Sequence, residues 1–335
     1  MTQHAAHPAD DRVLVLITGS GRSGTSSLAG SLSMLGLHVP EPVVPPTAIN
    51  PKGFFETSWV VDFHQDLLRR AMVRSSDGSV LAERRVHQVL ADGEAQDRLT
   101  AWLGEQPGTA TLVKDNQACW FVDLWAAAAS ATGRDLRLLT SLRHPAEVVG
   151  SRDLVWGQGR EADERRRRET TNVASWLNVA LVTELRGRAL PRAFVGYGEL
   201  IAGWRPALGR VSGQLGLGLD LPGTGSTHEL DSWLDAGLRR SQLTWADLRV
   251  PGRLQALAED AWHQLNALAL DPRSAAAQAR LDALGEEYAV LYDEAVAIGR
   301  DESRHQQKAA ARRSGDKVRA RFRKRLGQDA EQARP

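Results

Sequence analysis

Gly19, Gly21 and Gly24, interleaved with Arg22 and Ser23 and followed by Thr25 and Ser26, are the residues best suited by type and spacing to hold a compact oxyanion. Glycines let backbone N–H groups approach an anion closely. Hydroxyls and a guanidinium add further donors, the last in a planar fork. Such a loop works only if its ends are fixed. Val13 to Ile17 is an unbroken, β-branched apolar run, as expected of a strand buried on both faces. Leu28, Leu32 and Leu35 recur at helical spacing, and Gly36 is placed to end that helix. Strand, glycine turn and helix together aim N–H groups and the positive end of a helix dipole at one point, which makes a phosphate cradle.

The identity of the phosphate is constrained by what the loop lacks. A nucleotide-triphosphatase loop reads GxxxxGK[ST], its Lys reaching the β- and γ-phosphates and its hydroxyl residue holding Mg²⁺. Gly19 and Gly24 keep that spacing, but Thr25 stands at the Lys position and the cation comes earlier, at Arg22. No carboxylate pair sits beside the loop to hold Mg²⁺, so no metal is expected. The loop suits a ligand with one phosphate and a neighbouring anion.

Three further charged or aromatic residues follow short apolar runs. Thr111 to Val113 reads as a second strand ending at Lys114, and Leu136 to Leu142 as a third ending at Arg143. Ala193 to Val195 reads as a fourth, shortly before Tyr197. Pro145 takes the favoured first position of the next helix. That helix puts Ser151 about two turns beyond Arg143, where both could grasp one dianion. Taken alone, the pair also reads as a surface ion pair and an ordinary helix residue. Strands alternating with helices imply an α/β domain, a three-layer sandwich with a mostly parallel sheet covered on both faces. Ligands of such sheets collect beyond the carboxyl ends of the strands, where the glycine loop, Lys114, Arg143 and Tyr197 all fall.

Between these elements, His38 to Pro51 carries five prolines and reads as an irregular loop. It leads through Pro51-Lys52-Gly53-Phe54-Phe55-Glu56 to a helix that Thr57 or Ser58 can cap. Val60, Phe63, Leu67 and Leu68 form the apolar face of that helix, with His64 on the same side. Residues 74–98 are polar with weak periodicity and read as a surface excursion that carries part of the substrate specificity. Cys119 to Ala131 reads as one helix closed by Gly133. Glu161 to Arg168 is a charge run on a solvated helix face. A Gly-rich interruption from Gly213 to Gly225 breaks an otherwise helical C-terminal half.

A chain of 335 residues, 42% hydrophobic, can bury one large α/β core, or two small ones. A net charge of +1 gives no global attraction to nucleic acid, so an anion site must be local. The single cysteine, Cys119, excludes an internal disulfide framework and suits a reducing compartment. The stretch MTQHAAHPADDR lacks the apolar core of a signal peptide, and no run approaches the ~18 apolar residues of a membrane span. The expected location is the cytoplasm. The domain is expected over residues 10–300. Residues 301–335 form a basic tail: Arg304 to Arg325 holds ten Lys or Arg against one acid, Asp316. It reads as a solvated or frayed helix, with an anionic partner or a membrane surface as the alternative.

GSGRSGTSSL resembles the 5′-phosphosulfate loop of sulfotransferases of the bacterial type that use 3′-phosphoadenosine 5′-phosphosulfate (PAPS), and Arg143-His144-Pro145-Ala146-Glu147-Val148-Val149-Gly150-Ser151 is similar to their 3′-phosphate element, Arg-x-Pro-x-x-Val-x-x-Ser. Tyr197-Gly198-Glu199-Leu200 is similar to a Tyr-Glu-Asp-Leu segment, departing from it at Gly198, and PKGFFE resembles a stretch common in bacterial members. The pieces occur in order over residues 13–205. The resemblance implies a P-loop nucleotide-hydrolase-like fold and in-line transfer of a sulfuryl group from PAPS to a hydroxyl or amine of a small-molecule or carbohydrate acceptor.

It further implies that Gly21, Arg22, Ser23, Gly24, Thr25 and Ser26 hold the 5′-phosphosulfate. Arg143 and Ser151 would hold the 3′-phosphate, with Tyr197 beside the adenine and Lys114 meeting charge on the bridging oxygen. The position two past Lys114, where another branch keeps a catalytic His, is Asn116, so Glu56 is the candidate base, with Asp115 and His64 behind it. The C-terminal Arg-Lys-Gly loop of that branch has no counterpart beyond a substitute at Arg239 and Arg240. The rival readings are a P-loop kinase or nucleotide hydrolase, requiring ATP and Mg²⁺, and a nucleotide-binding module without catalysis.

Overall fold

Val13–Thr18 forms strand β1 with every residue buried, as a doubly covered strand requires. Side chains alternate across it. Val13, Val15 and Ile17 enter one apolar core with Leu28, Ala29 and Leu32, while Leu14 and Leu16 enter a second with Phe63 and Trp125. The computed structural model describes residues 12–48, 50–156, 161–223, 225–234, 237 and 242–332. Arg239 and Arg240 lie outside them.

Among the described residues the chain runs β1, α1 (Thr25–Met34), α2 (Ser58–Ala71), α3 (Ala82–Leu90), α4 (Glu94–Gly104), β2 (Thr111–Lys114), α5 (Val122–Ala131), β3 (Asp135–Leu142) and α6 (Pro145–Trp156). It continues with α7 (Ala162–Gly187), β4 (Arg192–Gly196), α8 (Tyr197–Ala202), α9 (Trp204–Leu215), α10 (Leu230–Trp233), α11 (Gly252–Leu270) and α12 (Ala275–Gln332). The four strands form one sheet in the order β2-β1-β3-β4, every pair parallel, with Ile17 opposite both Lys114 and Leu139. One core gathers α2 to α5 and part of α7; the other gathers α1, α8 and α9. This is the three-layer α/β sandwich with a parallel sheet that the alternation of apolar runs implied.

The strand order fixes where a ligand can sit. From central β1 the chain passes to β2 on one side and later to β3 on the other, so the connections leaving β1 and β3 diverge and open a crevice at their carboxyl ends.

Several local readings are corrected. Residues 74–98 are not a mere surface excursion: Ala82 and Val86 on α3 and Ala95 on α4 are buried in the first core. So few apolar positions among Arg, Glu and Gln gave little periodicity to read. Cys119 to Ala131 is not one helix. A 3-10 turn, Asn116–Trp120, precedes α5, and Asp115 caps it by accepting from the Gln117 backbone N–H at 3.0 Å. Thr57 occupies the N-cap of α2, but its hydroxyl donates to the Pro40 carbonyl at 2.8 Å and caps nothing. Helix α9 runs through Gly213 and ends only at Gly216.

The chain divides into two compact units, Met1–Tyr288 and Ala289–Pro335. The first holds the sheet and both cores; α12 begins in it, and the Tyr288 hydroxyl donates to the Gly78 carbonyl. The second is helical through Gln332 and exposes Val290, Val296 and Ile298. Among the described residues no helix is long and apolar enough to cross a membrane.

Candidate active site

The loop between β1 and α1 is held by its own backbone and by its neighbours. The Ser23 N–H donates to the Ser20 carbonyl at 3.0 Å, and the Ser141 hydroxyl of β3 donates to the Ser23 carbonyl at 2.8 Å. Gly24, the N-cap of α1, has φ 90°, and a Cβ there would lie 2.1 Å from a ring carbon of Tyr197. Glycine is required both for the left-handed turn and for the aromatic contact. The first N–H groups of α1 have no intrahelical acceptor, and no acidic side chain in its first turn competes for them.

Arg22 is also left-handed, at φ 77°, a conformation that costs a non-glycine residue roughly 1–2 kcal/mol. Its Nε donates to the Ser151 hydroxyl of α6 at 3.1 Å. The two motifs, 129 residues apart, therefore touch. Arg143, beyond the end of β3, donates to Glu147 at 3.0 Å and to the Arg22 carbonyl at 3.2 Å, and its guanidinium lies 4.9 Å over the Tyr197 ring. A carboxylate, a carbonyl and an aromatic face fix the direction of that fork.

At the other side of the loop the PKGFFE segment folds back onto α1. Asn50 Nδ2 donates to the Ser26 hydroxyl at 3.3 Å and to the Gly53 carbonyl at 2.6 Å. Phe55, left-handed at φ 55°, turns Glu56 inward to meet Lys114 at 2.5 Å, and Lys114 also reaches the Ser26 hydroxyl at 3.4 Å. The Lys114 side chain is 2% exposed and that of Glu56 14%. Burial raises the Glu56 carboxyl above its usual range. The attraction of Lys114 opposes this shift without overcoming it, and the charge of Asp115 adds to it.

These residues line one cavity of about 640 Å³. Gly21, Arg22, Gly24, Thr25, Ser26, Glu56, Lys114, Arg143, Ser151 and Tyr197 all face it. Ser23 does not. Its hydroxyl donates to the Ser20 carbonyl and is buried inside the loop. Of the other candidate bases, Asp115 lines the cavity but His64 does not. His64 is fully buried, with Nδ1 2.7 Å from Asp115 and Nε2 accepting from the Trp125 indole at 3.0 Å. Because an indole only donates, the imidazole proton is on Nδ1, and His64 orients Asp115.

The cavity also takes Asn116, and residues that the sequence reading did not single out, Ser76, Arg152 and Asn172 among them. Thr25 donates to Asn116 Oδ1 at 3.0 Å, so the position that cannot act as a base instead orients the loop. Arg152 follows Ser151 directly, which was its only signal. Asn172 lies on α7 just after a charge run and carried none.

Two solved structures align with most of this chain. The sulfotransferase domain from the Synechococcus PCC 7002 olefin synthase is 19% identical over 79% of this chain and 98% of its own, with a TM-score of 0.44. The sulfotransferase domain from the curacin biosynthetic pathway is 14% identical over 78% and 99%, with a TM-score of 0.41. No family model matches the chain, and neither does any curated protein.

Proposed function

We propose that the protein is a sulfotransferase that moves the sulfuryl group of PAPS to a hydroxyl or amine of a small acceptor. One observation carries this reading: the glycine-loop cradle and the Arg143–Ser151 pair, two separate sets of anion ligands, line the same cavity beside a buried Lys114–Glu56 pair. A nucleotide with an anion at each end would use both sets of donors at once. The loop has Thr25 where a triphosphate-binding Lys would stand, which disfavours the kinase reading.

The residues fit the donor. The α1 amides, Arg22, Thr25 and Ser26 would hold its 5′ end, and Arg143 and Ser151 its 3′-phosphate, with Tyr197 beside the base. When bound, the donor supplies an S–O bond whose electron pair passes to the bridging oxygen as the acceptor's oxygen or nitrogen bonds to sulfur. Lys114 would meet the charge that develops there, leaving Glu56 as it does so. Glu56 accepts the acceptor's proton, a contribution of ~10²–10⁴-fold to rate. Positioning and fixed charge supply the rest.

The test is incubation with PAPS and a panel of alcohols, phenols, amines and glycosides, read by mass for acceptors that gain a sulfuryl group. Parallel reactions hold ATP and Mg²⁺. Sulfated product with PAPS alone is expected; phosphorylated product with ATP would establish the kinase reading instead.

A further inference from the structure

Ser76, Asn172 and Arg152 form a cluster on the cavity wall that the nucleotide assignments leave unused. Arg152 is largely buried and donates to Asn172 Oδ1 at 3.1 Å, to the Ser76 hydroxyl at 3.0 Å, to the Ser20 hydroxyl at 3.2 Å and to the Gly21 carbonyl at 3.5 Å. A guanidinium only donates, so each of these oxygens is an acceptor. That assignment settles what remains. With Oδ1 taken by Arg152, Asn172 turns its Nδ2 hydrogens away from the guanidinium. With its oxygen accepting, Ser76 has its own O–H to give. Among the described residues neither donor has a protein acceptor, and both residues line the cavity. Two N–H or O–H donors, set side by side by one planar cation, match the two oxygens of a carboxylate.

Of the cations that line the cavity, Arg22, Lys114 and Arg143 are assigned to the nucleotide, which leaves Arg152 as the positive charge beside this wall, against Glu56 and Asp115. Of these acids, Glu56 is paired with Lys114 and Asp115 is hydrogen-bonded to His64 and to the Gln117 backbone.

We propose that the acceptor is a hydroxy or amino compound bearing a carboxylate, which seats on Asn172 Nδ2 and the Ser76 hydroxyl while its nucleophile faces Glu56. This rests on the sulfuryl-transfer reading for the role of the ligand, but the carboxylate seat stands on the wall's own hydrogen bonds. Arg152 is a positioning residue here, and it adds its charge to the field.

The experiment titrates the full chain, saturated with 3′-phosphoadenosine 5′-phosphate, with benzoate and with benzamide, a neutral molecule of the same shape. Benzoate is expected to bind at least about tenfold more tightly, as charged hydrogen bonds of this kind allow. Asn172→Asp keeps an acceptor for Arg152 but replaces the outward donor with an anionic oxygen, and is expected to abolish the preference. Asn172→Ala, which removes the donor without adding charge, is expected to reduce it. Equal affinities in the wild type, no benzoate binding, or a preference that survives in both variants would overturn the proposal; in the last case the carboxylate is bound away from Asn172. Failure of the nucleotide itself to bind would overturn the functional reading instead. The same titration without nucleotide, compared across the variants, would then still decide the carboxylate seat.

Discussion

The two ends of the cavity are built differently. The loop end takes its shape from backbone: three glycines and the first turn of α1 form it within fifteen residues of sequence, and Ser141, Arg143 and Arg152 tie its carbonyls to the elements around it. The acceptor end is side chain. Glu56, Ser76, Asn116, Arg152 and Asn172 come from separate segments and meet only because α2, α6, α7 and the turn after β2 pack around one sheet edge. A backbone cradle tolerates little change in residue type, whereas a side-chain wall can be rebuilt one position at a time. On the proposed function, the first would set the class of ligand and the second its individual identity.

The sharpest way to break this contrast is Gly24→Ala. The new methyl would meet the Tyr197 ring at 2.1 Å on a backbone at φ 90°. Overpacking and left-handed strain together predict a loss of about 2–5 kcal/mol of stability and of nucleotide binding, seen by thermal unfolding and calorimetry. Adding Tyr197→Ala should restore part of the stability by removing the clash but not the strain. Full tolerance of Gly24→Ala would mean that the loop is not the rigid end.

Glu56→Gln acts at the other end. Turnover should fall ~10²–10⁴-fold with nucleotide affinity little changed. Burial raises the Glu56 pKa, so in the wild type the carboxyl holds its proton, and cannot accept another, up to a pH above its usual value. Activity should therefore fall as pH drops through that raised value. The variant should lose this acid limb, and a limb that persists in it belongs to another group.

The same contrast explains what could be read from the sequence. Strands β1 to β4 announce themselves as apolar runs because both faces of the sheet are covered, and the loop announces itself because glycine spacing encodes backbone shape directly. Arg143 and Ser151 were legible because one strand end and one helix fix their separation. Asn172 and Ser76 were not, since nothing local to either residue records that Arg152 lies between them. Ser23 shows the opposite limit, a residue whose internal bond the sequence does not record. Its type and place fitted an anion ligand, but the loop needs its hydroxyl internally, on the Ser20 carbonyl. Ser23→Ala is the smallest effect expected: about 1 kcal/mol of stability, with nucleotide affinity within about twofold of the wild type.

The central claim is that the loop and the Arg143–Ser151 pair hold opposite ends of one nucleotide. Calorimetric titration of the wild type and Arg143→Ala with 3′-phosphoadenosine 5′-phosphate and with 5′-AMP tests it most directly. The wild type should prefer the bisphosphate by about 10–100-fold, the worth of one or two charge-assisted hydrogen bonds, and Arg143→Ala should lose that preference while binding 5′-AMP as before. Equal affinity for the two nucleotides in the wild type, or a preference unchanged in Arg143→Ala, would contradict the account.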